Sequence, residues 1–233
     1  MILCNDLLVE KSMKVFSMMR AYVLLFVTLF RILINVFYGI YKISRLTHAP
    51  ITIFGGARLQ DDSEYMKKAT ELARMLAESG IPVLTGGGPG IMQAASCGAV
   101  GFSTIGITVT GLDTKAPSAC QPNIIIMRNY LARKWLLIHY SVGFAIFPGG
   151  YGTLDELTDL LTLIQTKIQI RTPIVLIGKD YWRPFMEWVT ESALKNNLIA
   201  QEDVELFVIT DDITEAFQVL KDHAHKESGF TPL

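Results

Sequence analysis

The order of apolar and polar positions divides the chain into a hydrophobic front and an alternating body. Residues 21–41, AYVLLFVTLFRILINVFYGIY, are long enough to cross a bilayer, which takes about 20 apolar residues. The run is too long for a signal-peptide core, and no small-residue cleavage site follows it. Thr28, Arg31, Asn35, Gly39 and Lys42 interrupt it at intervals of 3, 4, 4 and 3, which puts them on one narrow stripe of a helix. A central arginine costs roughly 2.5–3.5 kcal/mol inside a membrane. The pattern predicts a long helix whose wide apolar face packs on the domain, on a second subunit or on lipid. Protein packing leads, ahead of interfacial attachment and a true anchor.

From Pro50 onward, short apolar runs alternate with helical periodicity. Strands are predicted at 51–54, 81–85, 103–109, 123–127, 143–147, 173–178 and near 206–209. Helices are predicted over 61–79, from Ile91 onward, and over 129–141, 153–167, 182–195 and 212–224. Strands of 4–8 apolar residues between helices indicate βαβ units and a parallel sheet covered on both faces. The expectation is α/β: a three-layer parallel sheet of about seven strands with helices on both faces, behind a long hydrophobic N-terminal helix. Its divisions are a helical segment 1–46, a domain 47–225 and a tail 226–233. The stretch 110–122, rich in turn residues, reads as either a functional lid at the sheet's mouth or a plain surface connection.

Composition narrows the chemistry. Half of the 233 residues are hydrophobic and 18% are charged, which excludes an extended disordered protein. The net charge of −1 supplies no basic field for a nucleic acid backbone. Cys4, Cys97 and Cys120 are an odd, widely spaced set, which fits a reducing compartment better than a disulfide scaffold. No spacing of the four histidines and three cysteines makes a zinc ligand set, so no metal is expected.

Two glycine runs follow strands and precede helices: Gly86-Gly87-Gly88-Pro89-Gly90, and Pro148-Gly149-Gly150-Tyr151-Gly152. In that position glycine permits positive φ and keeps side chains out of a ligand's path. The following helix start points free N–H groups and its positive dipole end at an anion. Two such loops on one parallel sheet suggest a bound phosphate or mononucleotide. A dinucleotide fingerprint would follow the first strand, and neither loop ends in the GK[ST] of a P-loop. Thr153 and Glu156 lie three apart, on one face near the anion site; the competing account is a Thr-x-x-Glu capping box. Asp155 reads as a favourable charge at a helix start. Gly55, Gly56 and Arg58, past the first strand, are candidates for nucleotide contact.

GGGPGIMQAA (86–95), the Arg133-Lys134 pair and PGGYGTLDE (148–156), with TIFGGAR (52–58) and TLIQT (162–166), resemble the Lonely-guy (LOG) family of nucleotide phosphoribohydrolases, once labelled lysine decarboxylases. The resemblance runs from about residue 32 to 220. It implies a Rossmann-like domain preceded by a packed helix at about 31–46. It also implies cleavage of a nucleoside 5′-monophosphate, AMP or a cytokinin riboside monophosphate, to free base and ribose 5-phosphate, without cofactor, in a dimer or larger homo-oligomer. The family's catalytic arginine and glutamate fall on Arg133 and Glu156, and its phosphate loops on Gly86–Gly90 and Gly149–Thr153. Met92 belongs to the first motif, and Lys134 beside Arg133 suits an anionic substrate. Gly56 stands where the family often has serine, and Ala132 where plant-type members have glutamate; both departures bear on cytokinin specificity.

The residues support that chemistry independently. Breaking the base–ribose bond builds positive charge at C1′, as in glycoside hydrolysis, and a nearby carboxylate stabilises that charge and positions water. Arginine offers a rigid fork for phosphate or carboxylate. A pyridoxal-dependent decarboxylase would need a singled-out Schiff-base lysine, and none stands out. The expectation is therefore a cytoplasmic N-ribosidase, with membrane contact through residues 21–41 as the alternative location. The rival functions are a non-catalytic carrier of a phosphorylated cofactor, such as molybdenum cofactor, and a tethered nucleotide sensor.

Overall fold

A computed structural model describes residues 2–60, 62–111, 120 and 123–226, with backbone alone for 2–12 and 15. Most of the lid candidate at 110–122, Asp61 and most of the tail lie outside the described residues.

The first helix, α1, runs over Ile2–Ile43, far longer than either the apolar run or the family resemblance implied. No glycine or proline occurs before Gly39, so nothing in the backbone stops the helix earlier. Its segment Phe16–Ile43 is long and apolar enough to cross a membrane, yet only 6% of its most apolar stretch is buried. Among the described residues, contact with the core comes from the last turns, where Ile32, Val36, Ile40 and Ile43 pack on it.

The body follows as β1 (Ile51–Phe54), α2 (Glu64–Glu78), β2 (Val83–Thr85), α3 (Ile91–Gly98), β3 (Thr104–Val109), β4 (Ile124–Met127), α4 (Tyr130–His139), β5 (Gly143–Ile146) and α5 (Tyr151–Gln165). It closes with β6 (Ile174–Ile177), α6 (Lys179–Trp188), a π-helical continuation Val189–Leu194, α7 (Gln201–Val204), β7 (Val208–Thr210) and α8 (Ile213–Lys226). The stretch expected as one helix over 182–195 thus starts earlier and changes winding at Val189.

All seven strands are parallel, in the order β4-β3-β2-β1-β5-β6-β7. Strand residues alternate between two cores, one on each face: Ile51, Ile53, Ala145 and Phe147 belong to one, Phe54, Phe144 and Ile146 to the other. That two-sided burial is why the strands read as unbroken apolar runs. The chain winds outward from β1 in one direction and from β5 in the other, so β1 and β5 form the switch point, where ligands bind outside the strands' carboxyl ends.

Candidate active site

Three loops meet at that switch point. β1 lies between β2 and β5, so the loop after it separates the two glycine runs and fastens both. The Gly56 N–H donates to the Pro148 carbonyl at 2.9 Å, and the Ile91 N–H donates to the Gly56 carbonyl at 3.1 Å. Gly90, the N-cap of α3, has φ +66°, and a Cβ there would strike the Gly56 carbonyl. Gly87, also at positive φ (+68°), lies against β3. Met92 packs beneath the loop, its sulfur close to where side chains on Gly86 or Gly88 would start.

The second cradle is open. Nothing lies within 4 Å of a Cβ built on Gly150 or Gly152, and Tyr151 is 93% exposed. Gly150, extended at φ −91° and ψ −154°, is the N-cap of α5 and supplies no side-chain cap. The first-turn amides therefore face the crevice, as an anion site requires. This corrects the capping-box account: the helix starts at Tyr151, two residues before Thr153, so Thr153 is its third residue. Thr153 is buried, with its hydroxyl where a Cβ on Gly149 would be. Tyr181, from α6, donates a short hydrogen bond to the Gly149 carbonyl.

Arg133 and Glu156 meet between the cradles. Asn129 caps α4 by accepting from the Ala132 N–H at 3.0 Å, which aims the next residue inward. Arg133 is 4% exposed and Glu156 6%. The guanidinium donates through Nη1 to Glu156 Oε1 at 3.1 Å, through Nε to the Ile107 carbonyl at 2.7 Å and through Nη2 to the Gly86 carbonyl at 3.4 Å. A Cβ on Gly86 would occupy the space of Nη2, so a side chain there would push the guanidinium out of this pose. The Tyr130 ring covers the guanidinium at 5.5 Å. Burial pushes the Glu156 carboxyl up to about 7, although the Arg133 charge and hydrogen bond pull against it. A carboxyl balanced near neutrality can hold or release a proton at physiological pH.

Lys134 departs from its expected role. One residue on from Arg133 is about 100° around a helix, and its ammonium bridges Asp155 and Asp159 of α5, both at 3.1 Å. Burial lowers its pKa, but the hydrogen bonds to Asp159 and Asp155 outweigh that and hold it above the usual lysine value. It is a strut between α4 and α5, and its charge is unlike the neutral amine a Schiff base needs. Asp155 is thereby more than a helix-start charge. Arg58 lies exposed on the turn after β1. Asn129, Ile107 and Tyr181 support the site without standing out in the sequence; only Asn129, a capping residue before a helix, left a signal.

The cysteine expectation is also corrected. Cys97, near the end of α3, and Cys120 form a disulfide, their Cα atoms 4.6 Å apart. The fold brings the end of α3 beside the chain leading into β4, an approach that a separation of 23 residues does not reveal. Among the described residues no cluster of His, Cys, Asp or Glu could hold a metal ion. A cavity of about 290 Å³ opens away from this site, at the amino ends of β3 and β4 beside the end of α1.

The family described as "Possible lysine decarboxylase" matches residues 90–220, more than half of the chain and the whole span from Gly90 through Arg133 to Glu156. The chain belongs to that family, the Lonely-guy proteins. It is 28% identical over 166 residues to the rice (Oryza sativa subsp. japonica) cytokinin riboside 5′-monophosphate phosphoribohydrolase LOG, covering 69% of this chain and 67% of the relative. It is 29% identical over 209 residues to the Escherichia coli K12 pyrimidine/purine nucleotide 5′-monophosphate nucleosidase, covering 80% of this chain but only 44% of that longer protein. Among solved structures, the molybdenum cofactor carrier protein of Chlamydomonas reinhardtii superposes with a TM-score of 0.53 at 23% identity, over 75% of this chain and 97% of the carrier. That likeness establishes the Rossmann-like fold alone.

Proposed function

We propose that the protein hydrolyses the N-glycosidic bond of a nucleoside 5′-monophosphate, AMP or a cytokinin riboside monophosphate, to free base and ribose 5-phosphate. The observation that carries this reading is the buried Arg133–Glu156 pair between two amide-lined cradles. A carrier needs the cradles; it has no use for a carboxyl raised to about 7 beside them. The amides at the starts of α3 and α5 grip the 5′-phosphate, with Gly86–Gly90 and Gly149–Thr153 shaping the space. As the C1′–N bond breaks, the electron pair leaves with the base and positive charge develops on the ribose. Ionised Glu156 stabilises that charge and orients the water whose oxygen bonds to C1′; the water's proton ends on the base. Arg133 holds the carboxylate in place and keeps it charged through the step. No cofactor is required.

On this reading the protein works as a homodimer or larger homo-oligomer in the cytoplasm, with membrane association through residues 21–41 as the alternative location. Its test is to incubate the protein with AMP and other 5′-monophosphates and separate the products. Free base with ribose 5-phosphate is expected, and Glu156→Gln binds substrate without releasing base. The second reading, a non-catalytic carrier of a phosphorylated cofactor such as molybdenum cofactor or a nucleotide sensor, needs the same cradles without the buried pair. A wild type that binds AMP yet releases base from none of the nucleotides selects the carrier or sensor reading instead.

A further inference from the structure

Arg20, Arg31 and Lys42 stand eleven residues apart, close to three full turns of helix, so they form one straight row with steps of roughly 16 Å. All three are exposed on α1, and among the described residues none has an acidic partner. About a third of a turn round from that row runs an uninterrupted apolar face carrying Phe16, Val23, Phe26, Phe30, Leu33 and Phe37, each more than half exposed. The last third of the circumference meets the domain in its final turns, through Ile32, Val36, Ile40 and Ile43, and carries exposed Met18, Leu25 and Leu29 before them. The row ends at the cavity of about 290 Å³, where Lys42 and Arg45 stand with Ser103, Thr104 and Asn123.

From this arrangement we infer that α1 lies flat in the surface of an anionic phospholipid membrane, its apolar face among the acyl chains and its cation row on the headgroup phosphates. The inference rests on the membrane contact proposed for residues 21–41 and is independent of the hydrolytic activity. Three features select this placement. A spanning helix keeps its cations at the ends; Arg20 and Lys42 flank the apolar run 21–41, but Arg31 falls at its centre. The final turns of α1 are held against α4, with Leu136 beside Gly39, so an upright helix embedded over 21–41 would draw that part of the domain into hydrocarbon. A second copy of the chain would cover one face only and would bring an identical row of cations with it. An anionic surface satisfies the apolar face and the cations together.

The test uses the full chain with phosphatidylcholine vesicles, with and without phosphatidylglycerol. Strong association is expected only with the anionic vesicles. Raised salt weakens it, and the triple variant Arg20→Gln/Arg31→Gln/Lys42→Gln loses roughly a hundredfold in binding with its circular dichroism unchanged. Equal binding to both vesicle types overturns the headgroup contact, and binding to neither overturns the membrane contact as well. Nitroxides attached in turn at Phe16→Cys and Phe37→Cys, with Cys4→Ser, report depth. The two positions are roughly 31 Å apart along the axis, so equal depths support the flat helix and widely different depths show a spanning one.

Discussion

Replacing Glu156 by glutamine separates the cost of burying a carboxylate from every other pH effect on the molecule. Glu156 is 6% exposed, and burial lifts its pKa to about 7 from an ordinary value of 4.5 despite Arg133. The folded protein therefore holds this proton more tightly than the unfolded chain does. Its contribution to stability is fully present below about pH 4.5 and is lost as the pH rises through about 7. A shift of that size amounts to about 3 kcal/mol over the window. Glutamine has no proton to lose, so Glu156→Gln lacks this slope. Removing the carboxylate also leaves Arg133 buried without its anion, a cost that displaces the whole curve while changing its shape little. Urea melts of wild type and variant at pH 5 and pH 8 measure the difference. The wild type should lose about 2–3 kcal/mol more than the variant between the two, a gap of roughly 5–10 °C in Tm for a chain of this length. Parallel pH curves would refute the reasoning, because the carboxyl would then titrate alike in both states. Activity has the opposite sign: if the ionised form does the work, kcat/KM rises as the pH passes through about 7, and no rise is seen in Glu156→Gln.

Lys134→Ala should slow hydrolysis only modestly, by loosening α5 against α4, while Arg133→Ala abolishes it. Its partners Asp155 and Asp159 are 47% and 38% exposed, so solvent screening limits the stability loss to about 1 kcal/mol or less; parallel assays and denaturation check both. Gly90→Ala forces an L side chain to φ +66° and into the Gly56 carbonyl. It should cost at least about 2 kcal/mol and weaken nucleotide binding, read by denaturation and by calorimetric titration with AMP. Thiol titration of the denatured, unreduced chain should count one sulfhydryl and, after reduction, three. Cys97→Ser should lower stability by about 3 kcal/mol, given the sequence separation of 23 between the paired cysteines.

The strands were legible because a parallel sheet buried on both faces needs continuous apolar runs, and ITIF and IVLI coincide with β1 and β6; IIIM marks the edge strand β4, although Ile126 there is exposed. The glycine cradles were legible for a similar reason: only glycine suits the positive φ at Gly87 and Gly90. What stayed hidden depends on direction or on distant neighbours. The start of α5 lies earlier than threonine, a stronger capping signal than glycine, suggests, because Gly150 in extended backbone holds the N-cap position and leaves the first amides uncapped. The Cys97–Cys120 bond depends on where the chain goes after β3, which local sequence does not record.

Arg133 and Lys134 show where legibility ends inside the site itself. As adjacent cations in a shared motif they invite a common role, yet a helix turns successive side chains about 100° apart. One goes under the Gly86 carbonyl to Glu156, and the other goes outward to Asp155 and Asp159. The outward pair has a use for the inward one. Glu156 lies between Asp155 and Asp159 on α5, so the ammonium of Lys134 fixes the rotation of α5 relative to α4, which sets the distance from Arg133 to its carboxylate partner. Charge near the mouth of the crevice thus belongs to the frame, and charge that binds or reacts is confined to two side chains almost wholly withdrawn from water.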